Sequence, residues 1–507
     1  MRYCLGVMQL LAQIKQAVWV GCVAVFVQIF CGPSGAFAQQ QQNASLALDR
    51  ALVERPWTGD LDGMIQRRYI RMLTVYSKTS FFTDSGVMHG TAVDFARLFE
   101  EQLNKEIATS KRGAAKNLRV RVMFIPVRRD QILPALAAGR GDIAAANLTI
   151  TPQRRKLVDF ATAGISNVKE VVVTGPVSPK IARVEDLSRR EVFVRRSSSY
   201  YESLQALNRK LLAEHKAPVM LKVAPETLED EDLLEMLNAG LVPIVVVDSH
   251  IADLWKQVFS NITVHADVAV REGGEIAWAI RKNTPKLKAA LDDFVTRNKQ
   301  GTTNGNTILL RYLKSQKYVK NASSEAERKK FRALVQSFQK YGAQYDVDWV
   351  LIGAQGYQES QLNQNAKSRS GAIGVMQVMP ATGKQMNAGN IHQADGNIAA
   401  GTKYMRFMID RYYAHEPMTQ LDKALFTFAS YNAGAGRIGQ MRKDAANRGL
   451  NPNVWFGNVE YVAAEKIGQE TVTYVSNIYK YYIAYQLVLE SRANRRNSVE
   501  KLKAGTR

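Results

Sequence analysis

Residues 133–143 read Leu-Pro-Ala-Leu-Ala-Ala-Gly-Arg-Gly-Asp-Ile, and residues 234–244 read Leu-Glu-Met-Leu-Asn-Ala-Gly-Leu-Val-Pro-Ile. Leu133, Leu136, Ala138, Gly139 and Ile143 recur as Leu234, Leu237, Ala239, Gly240 and Ile244, each displaced by 101 residues. Each copy reads as a short helix closed by a glycine, the residue that takes a left-handed cap most readily, and then a buried strand. The strands continue as Ala144-Ala145-Ala146 and Val245-Val246-Val247. A unit met twice at this interval predicts two similar lobes. Upstream, Met72-Leu73-Thr74-Val75-Tyr76 is β-rich, residues 93–99 have helical spacing, and the apolar run 120–125 leads into a helix near 130–138. Strands alternating with helices predict an α/β fold with a mainly parallel sheet.

Residues 315–330 (SQKYVKNASSEAERKK) are polar and charged, which predicts a linker. Beyond them helical spacing runs from Phe331 to about Leu489, followed by a basic end at 491–507 that reads as a mobile tail. The predicted architecture is a two-lobed α/β domain over 68–314, the linker, and a mainly α domain over 331–490. At the start, the apolar run 17–30 follows Arg2 and Lys15 and precedes Gly35-Ala36-Phe37-Ala38, the layout of a signal peptide cleaved after Ala38, which leaves an extension at 39–67. At ~1.5 Å per residue the run spans ~21 Å, short of a ~30 Å hydrocarbon core.

Cys4, Cys22 and Cys31 all lie in that segment, so the mature chain should hold neither disulfides nor a thiol nucleophile. The six histidines form no His-x-x-x-His pair and have no acids clustered beside them, so no metal site is expected, and no cofactor. The 68 basic residues against 46 acidic ones, a formal +22, call for an anionic partner. For an exported chain that means envelope polymers or lipid headgroups at a membrane surface, not nucleic acid.

Residues 348–362 (DWVLIGAQGYQESQL) read as a helix capped by Asp348 with Glu359 in its last turn. Alone, such a glutamate is usually a solvated surface charge. In the next element Gly371 and Gly374 allow close backbone approach, and Gln377 and Met379 suit a sugar's hydroxyls and apolar face. Four segments, Glu359-Ser360, Gly374-Val375-Met376-Gln377, Ser430-Tyr431-Asn432-Ala433-Gly434 and Glu470-Thr471-x-x-Tyr474-Val475, resemble in order the motifs of the lysozyme-like lytic transglycosylases. The departures are Val375 for Leu and Ser430 for Ala.

This resemblance implies that the substrate is the glycan strand of peptidoglycan and that Glu359 is the catalytic acid and base. It implies that Ser368 and Gln377 contact substrate, that Met379 belongs to the sugar cleft, that Tyr431 orients the carboxyl, and that Asn432 and Glu470 support the cleft. No second acid appears between Glu359 and Asp395, so the family's one-carboxyl chemistry, closing a 1,6-anhydro sugar, is expected over hydrolysis. Glu359 must then stay protonated near neutrality, with Trp349, Met376, Met379 and Tyr431 as the apolar walls.

The first domain resembles the periplasmic solute-binding proteins that deliver amino acids to transporters. The likeness lies in residues 90–96, 133–142, Asn147-Leu148-Thr149-Ile150-Thr151-Pro152-Gln153-Arg154 and 278–283. It implies that Arg154 pairs with a ligand carboxylate, that Asn147 and Thr149 add contacts from the same loop, that Ser198 faces them across the cleft, and that Asp248 meets an amino group. Phe81 or Phe82 supplies an aromatic wall. The ligand expected is an amino acid or a cell-wall muropeptide, and its binding is expected to adjust cleavage.

Overall fold

A computed structural model describes residues 55–84, 87–109, 119–299, 301–311 and 325–504. The expected leader, with its three cysteines, lies outside the described residues, as do 312–314 and residues 315–324 of the expected linker. Among the described residues no helix is long and apolar enough to cross a membrane.

The first domain runs α1 (Leu61–Arg67), β1 (Tyr69–Thr74), β2 (Phe82–Asp84), β3 (Val87–His89), α2 (Thr91–Thr109), β4 (Arg121–Pro126), α3 (Ile132–Ala137), β5 (Ile143–Thr149), α4 (Pro152–Leu157), β6 (Asp159–Phe160) and β7 (Ile165–Thr174). It continues with β8 (Glu191–Arg195), α5 (Ser199–Ala213), β9 (Met220–Ala224), α6 (Asp230–Asn238), β10 (Ile244–Asp248), α7 (Ser249–Lys256), β11 (Thr263–Ile280), α8 (Pro285–Asn298) and α9 (Thr303–Arg311).

Its main sheet has the order β4-β1-β5-β11-β7-β10-β8-β9, with β6 beside β11. The outer pairings are parallel: β1 with β4 and β5, and β8 with β9 and β10. The middle ones are antiparallel: β11 with β5, β6 and β7, and β7 with β10. The sheet is therefore mixed, which corrects the mainly parallel sheet expected. Within each lobe a helix carries the chain back to start a parallel neighbour, whereas strands that pass between lobes lie side by side in opposite directions. The 18-residue β11 belongs to both lobes and changes register against β7 at four places, so it bends as it crosses.

The repeated unit folds alike twice. α3 turns through Gly139 (φ +73°) into β5, and α6 through Gly240 (φ +65°) into β10. The cap bonds match: the Gly139 N–H donates to Leu136 O at 3.0 Å, and the Gly240 N–H to Leu237 O at 2.9 Å. Side chains on both faces of the following strands are buried.

The second domain comprises α10 (Glu325–Tyr345), α11 (Trp349–Ser360), α12 (Pro380–Met386), α13 (Ala394–Met408), a π turn at Ile409–Tyr413, α14 (Gln420–Ala433), α15 (Ala435–Asn447), a kinked turn at Trp455–Val459, α16 (Glu460–Ile467) and α17 (Gln469–Ala504). Two boundaries differ from expectation. α10 starts inside the stretch read as linker, because Glu, Lys and Arg are good helix formers even where nothing apolar is present. The basic tail continues α17 as helix to Ala504, since no Gly or Pro interrupts it before Gly505.

α17 also packs against the first domain. The Gln469 side chain donates to the Tyr76 hydroxyl and the Thr83 carbonyl. The wholly buried Lys480 Nζ lies 2.8 Å from Asp232 and 2.8 Å from Glu235 on α6. Lys78, from the loop after β1, reaches the same two carboxylates.

Candidate functional site

α11 begins as expected, with the Asp348 carboxylate accepting the Val350 N–H at 2.9 Å. Val350 to Tyr357 are all buried, so the helix carries Glu359 on a stem sunk in the domain. Burial raises the Glu359 carboxyl to about 7, while a hydrogen bond from the Tyr474 hydroxyl opposes the rise by favouring the charged form. Among the described residues no second carboxylate acts on it. One turn before, on the same helix face, Gln355 Nε2 lies 3.4 Å from the Tyr474 hydroxyl, which therefore sits between the two α11 side chains. Burial and the charge of Glu359 hold the Tyr474 phenol well above its usual range, so it remains a donor.

The loop between α11 and α12 is braced from several sides. The Ser360 hydroxyl donates to Val375 O at 2.9 Å, and the Asn397 carboxamide oxygen accepts the Met376 N–H at 2.8 Å. Gly374 has φ +78°, and a Cβ there would come within 2.5 Å of Asn397 Nδ2, so the close approach foreseen for this glycine is real. Gly371 (φ +90°) faces open space and serves only the turn. Gln377 spends its amide donors on Gly374 O (3.0 Å) and Ala366 O (3.3 Å). The Ser368 hydroxyl accepts the Ala372 N–H at 2.9 Å and lies 2.9 Å from Ser370 Oγ on an exposed turn. Met379 remains 41% exposed just before α12, free to meet an apolar surface.

Two expectations are corrected. Tyr431 does not bond the carboxyl: its hydroxyl donates to Met376 O at 2.7 Å, holding the loop, and the group on Glu359 is Tyr474. Trp349 is no wall either. It stands ten residues before Glu359, about 15 Å along the helix axis, and packs on Phe331. Asn432 accepts from the Thr471 hydroxyl at 2.7 Å, tying α14 to α17. Glu470 is exposed in the first turn of α17 and borders a cavity of about 640 Å³ between the domains, which Tyr76, Phe82, Arg129 and Glu460 also line. Gln355 and Asn397 were not singled out in the sequence. Gln355 carried a readable signal, its spacing of four from Glu359, whereas Asn397 meets the loop only through tertiary packing.

In the first domain Asn147, Thr149, Arg154 and Ser198 line one cavity of about 230 Å³ between the lobes. Arg154 donates to Thr149 O (2.9 Å) and, across the cleft, to Ser197 O (3.1 Å). Ser198 caps α5, accepting the Tyr201 N–H, and its hydroxyl donates to Arg195 O at 2.7 Å. Asp248 lies behind this lining, where Oδ2 accepts from Asn147 Nδ2 at 2.9 Å and Oδ1 has no hydrogen-bond partner among the described residues. Burial raises Asp248 to about 7, and the charges of Asp230 and Glu170 add to the effect. Asn147 (φ +51°) also takes a hydrogen bond from His250 Nε2 at 2.9 Å. Arg129 with Glu229 forms a further bridge between the lobes. Of the two expected aromatic walls, Phe81 is core, stacked on Phe124, and Phe82 borders the inter-domain cavity.

Residues 70–313 match the family model for bacterial extracellular solute-binding proteins, family 3, and residues 336–453 that for the transglycosylase SLT domain. Proteins named membrane-bound lytic murein transglycosylase F align over most of the chain. That of Pseudomonas fluorescens is 25% identical over 85% of this chain and 87% of its own. That of Desulfosudis oleivorans is 26% identical over 82% and 90%. Among solved structures, an ancestral arginine-binding protein bound to glutamine aligns with 48% of this chain and 98% of its own, at 22% identity and a TM-score of 0.37. A substrate-binding protein of an amino acid transporter from Streptococcus pneumoniae, bound to L-arginine, covers 50% and 98% at 17% identity and a TM-score of 0.39.

Proposed function

Because the chain belongs to the lytic murein transglycosylase F family, a family 3 solute-binding domain followed by a transglycosylase domain, we propose that it cuts peptidoglycan at the β-1,4 bond after N-acetylmuramic acid and leaves a 1,6-anhydro end. The observation that carries this reading is the single carboxyl of the site, Glu359, raised to about 7 with no acidic neighbour acting on it.

A protonated Glu359 gives its proton to the glycosidic oxygen as the bond to the anomeric carbon breaks, and the sugar's own N-acetyl group supports the positive carbon. The carboxylate then takes the proton of the sugar's 6-hydroxyl, and that oxygen closes on the anomeric carbon. Glu359 ends protonated, as it began, and no water enters. Tyr474 suits the middle of this cycle, because its hydrogen bond favours the charged carboxylate. A retaining glycosidase would place a second carboxylate about 5 Å away as nucleophile.

The first domain is read as the receptor for an amino acid or a muropeptide, with Arg154 and Thr149 toward the carboxylate and Asp248 toward the amino group. The bare Asp248 Oδ1 and the crowding of Asp248, Asp230 and Glu170 favour a cationic group there. α17 offers the route between the sites, since it carries Tyr474 to Glu359 and, six residues on, Lys480 to Asp232 and Glu235. Export to the envelope and peripheral attachment at the outer membrane complete the reading, supported by the relatives' name and the +22 charge.

The test is digestion of purified sacculi by wild type and Glu359→Gln, with mass analysis of the products. Anhydro ends from wild type alone support the reading. Reducing ends one water heavier would replace it with hydrolysis, and equal products from both proteins would remove Glu359 from the chemistry.

A further inference from the structure

α11 carries one amide inside its apolar stem. Between Val350 and Tyr357 the buried side chains are apolar except for Gln355 and the closing Tyr357, and Gln355 is wholly buried. Its Oε1 has no hydrogen-bond partner among the described residues. A buried carbonyl oxygen left bare costs stability, and a methionine of about the same size would fill the space without that cost. Packing of the stem therefore gives no reason for an amide at this position. Its other end does, because Nε2 is directed at the Tyr474 hydroxyl.

A phenol has one proton to give and lone pairs with which to receive. Tyr474 gives its proton to Glu359 Oε1, and its oxygen faces Gln355 Nε2, which can only donate. At 3.4 Å the contact from Gln355 is long for an N–H···O bond, so what it supplies is direction more than strength. An O–H turned toward Gln355 would set hydrogen against hydrogen, and the rotor settles toward the carboxyl instead. The titratable groups that bear on Glu359 are Tyr474 from α17 and, through its charge, Tyr431 from α14. Among the described residues no acid or cation from α10 or from the loop after α11 does so.

We propose that Gln355 is a positioning residue for the acid, acting through Tyr474: its amide fixes the rotation of the Tyr474 hydroxyl and so keeps that proton on Glu359. The role rests on the reading of Glu359 as the cutting group and extends it to a side chain that acts only through another. Since the bond from Tyr474 favours the charged carboxylate, loosening it raises the carboxyl further and moves the alkaline limb of activity to higher pH.

The test is a double-mutant cycle on the full chain, with Gln355→Met, Tyr474→Phe and the two together. Two midpoints are read: the titration of the Glu359 carboxyl carbon by NMR in glutamate-labelled chains, assigned by its loss in Glu359→Gln, and the alkaline limb of kcat/KM on sacculi. Gln355→Met should move both up by about half a pH unit and lower kcat about threefold, with Tm at or slightly above that of wild type. Added to Tyr474→Phe, it should move neither midpoint by more than about 0.2 of a unit, because the rotor it steers is gone. A midpoint that stays or falls overturns the proposal. So does a shift that persists without the Tyr474 hydroxyl, and so does a Gln355→Met chain melting well below wild type, since the amide would then be kept for the fold. The carboxyl titration needs no turnover, so failure of the cutting reading is seen separately, as a Glu359→Gln chain that still releases anhydro ends while the wild-type midpoint still answers to Gln355→Met.

Discussion

Glu359 in the helical domain and Asp248 between the lobes are both raised to about 7 by burial, but in different company. Among the described residues Glu359 has one polar partner, Tyr474. Asp248 is walled in, with Asn147 on one oxygen, none on the other, and the charges of Asp230 and Glu170 upon it. Desolvation alone makes a proton available to whatever enters the cleft. Like-charge crowding instead makes a place that a cation relieves. A raised carboxyl is thus a proton donor or a cation seat according to its neighbours, and the number alone does not tell which.

The contrast can be broken most sharply at Glu359. Glu359→Gln should lower kcat on sacculi by about 10³-fold, since general acid catalysis is typically worth that much. A variant that keeps a tenth of the activity would make Glu359 an ordinary buried acid. Next in size, Asp248→Asn should weaken binding of an amino-bearing ligand by roughly 100-fold in a calorimetric titration, as a charged hydrogen bond is lost from a buried site.

Tyr474→Phe sharpens the contrast at the catalytic side. On the reading proposed for Glu359, activity needs its protonated form, so kcat/KM should fall as pH rises through about 7. The lost hydrogen bond had favoured the carboxylate, so in the variant this alkaline limb moves to higher pH, while kcat drops by about tenfold because the carboxyl is less well held. A limb that moves down would reverse the role assigned to Tyr474.

The smallest effect is on stability. Asp248 holds its proton up to about 7 in the folded chain and ionises near 4 when unfolded. Its contribution is therefore whole below about pH 4 and is lost as pH rises to 7, because the folded state binds more protons over that window. Glu359, Glu231 and Glu460, also raised to about 7, act in the same sense. Thermal melts of the ligand-free chain should show Tm falling between pH 5 and 8, and Asp248→Asn should raise Tm at pH 8 by a few degrees.

Much of this was legible in the sequence, for reasons particular residues make plain. The two lobes were readable because a glycine cap between helix and strand is a local requirement, met at Gly139 and Gly240 alike. The antiparallel middle of the sheet was not, because the pairing of β11 with β5 and β7 depends on how the chain travels between lobes and leaves no local pattern. The spacing of motifs singles out Glu359 as the candidate, but it does not show which hydroxyl reaches its carboxyl. Tyr431 and Tyr474 both stand in motifs, and only the packing of α17 against α11 decides which phenol reaches the carboxyl. Arg154 lines the cavity between the lobes, and Asp248 lies behind that lining. What no sequence pattern announced is that Arg154 already spans the cleft to Ser197 O and that Asp248 sits behind Asn147.

The burial of Lys480 between Asp232 and Glu235 has a consequence for the order of synthesis. α6 crowds Asp230, Glu231, Asp232 and Glu235 into six residues, and Lys78 is the cation of the first domain that answers the last two. Chains fold from the N-terminus as they leave the ribosome. The acidic seat is therefore complete long before Lys480 is translated, and it waits in water with its charges half answered. The last helix to emerge finishes the electrostatics of the first domain to fold, so a chain truncated ahead of Lys480 leaves the first domain with a half-neutralised acidic face where the second should stand.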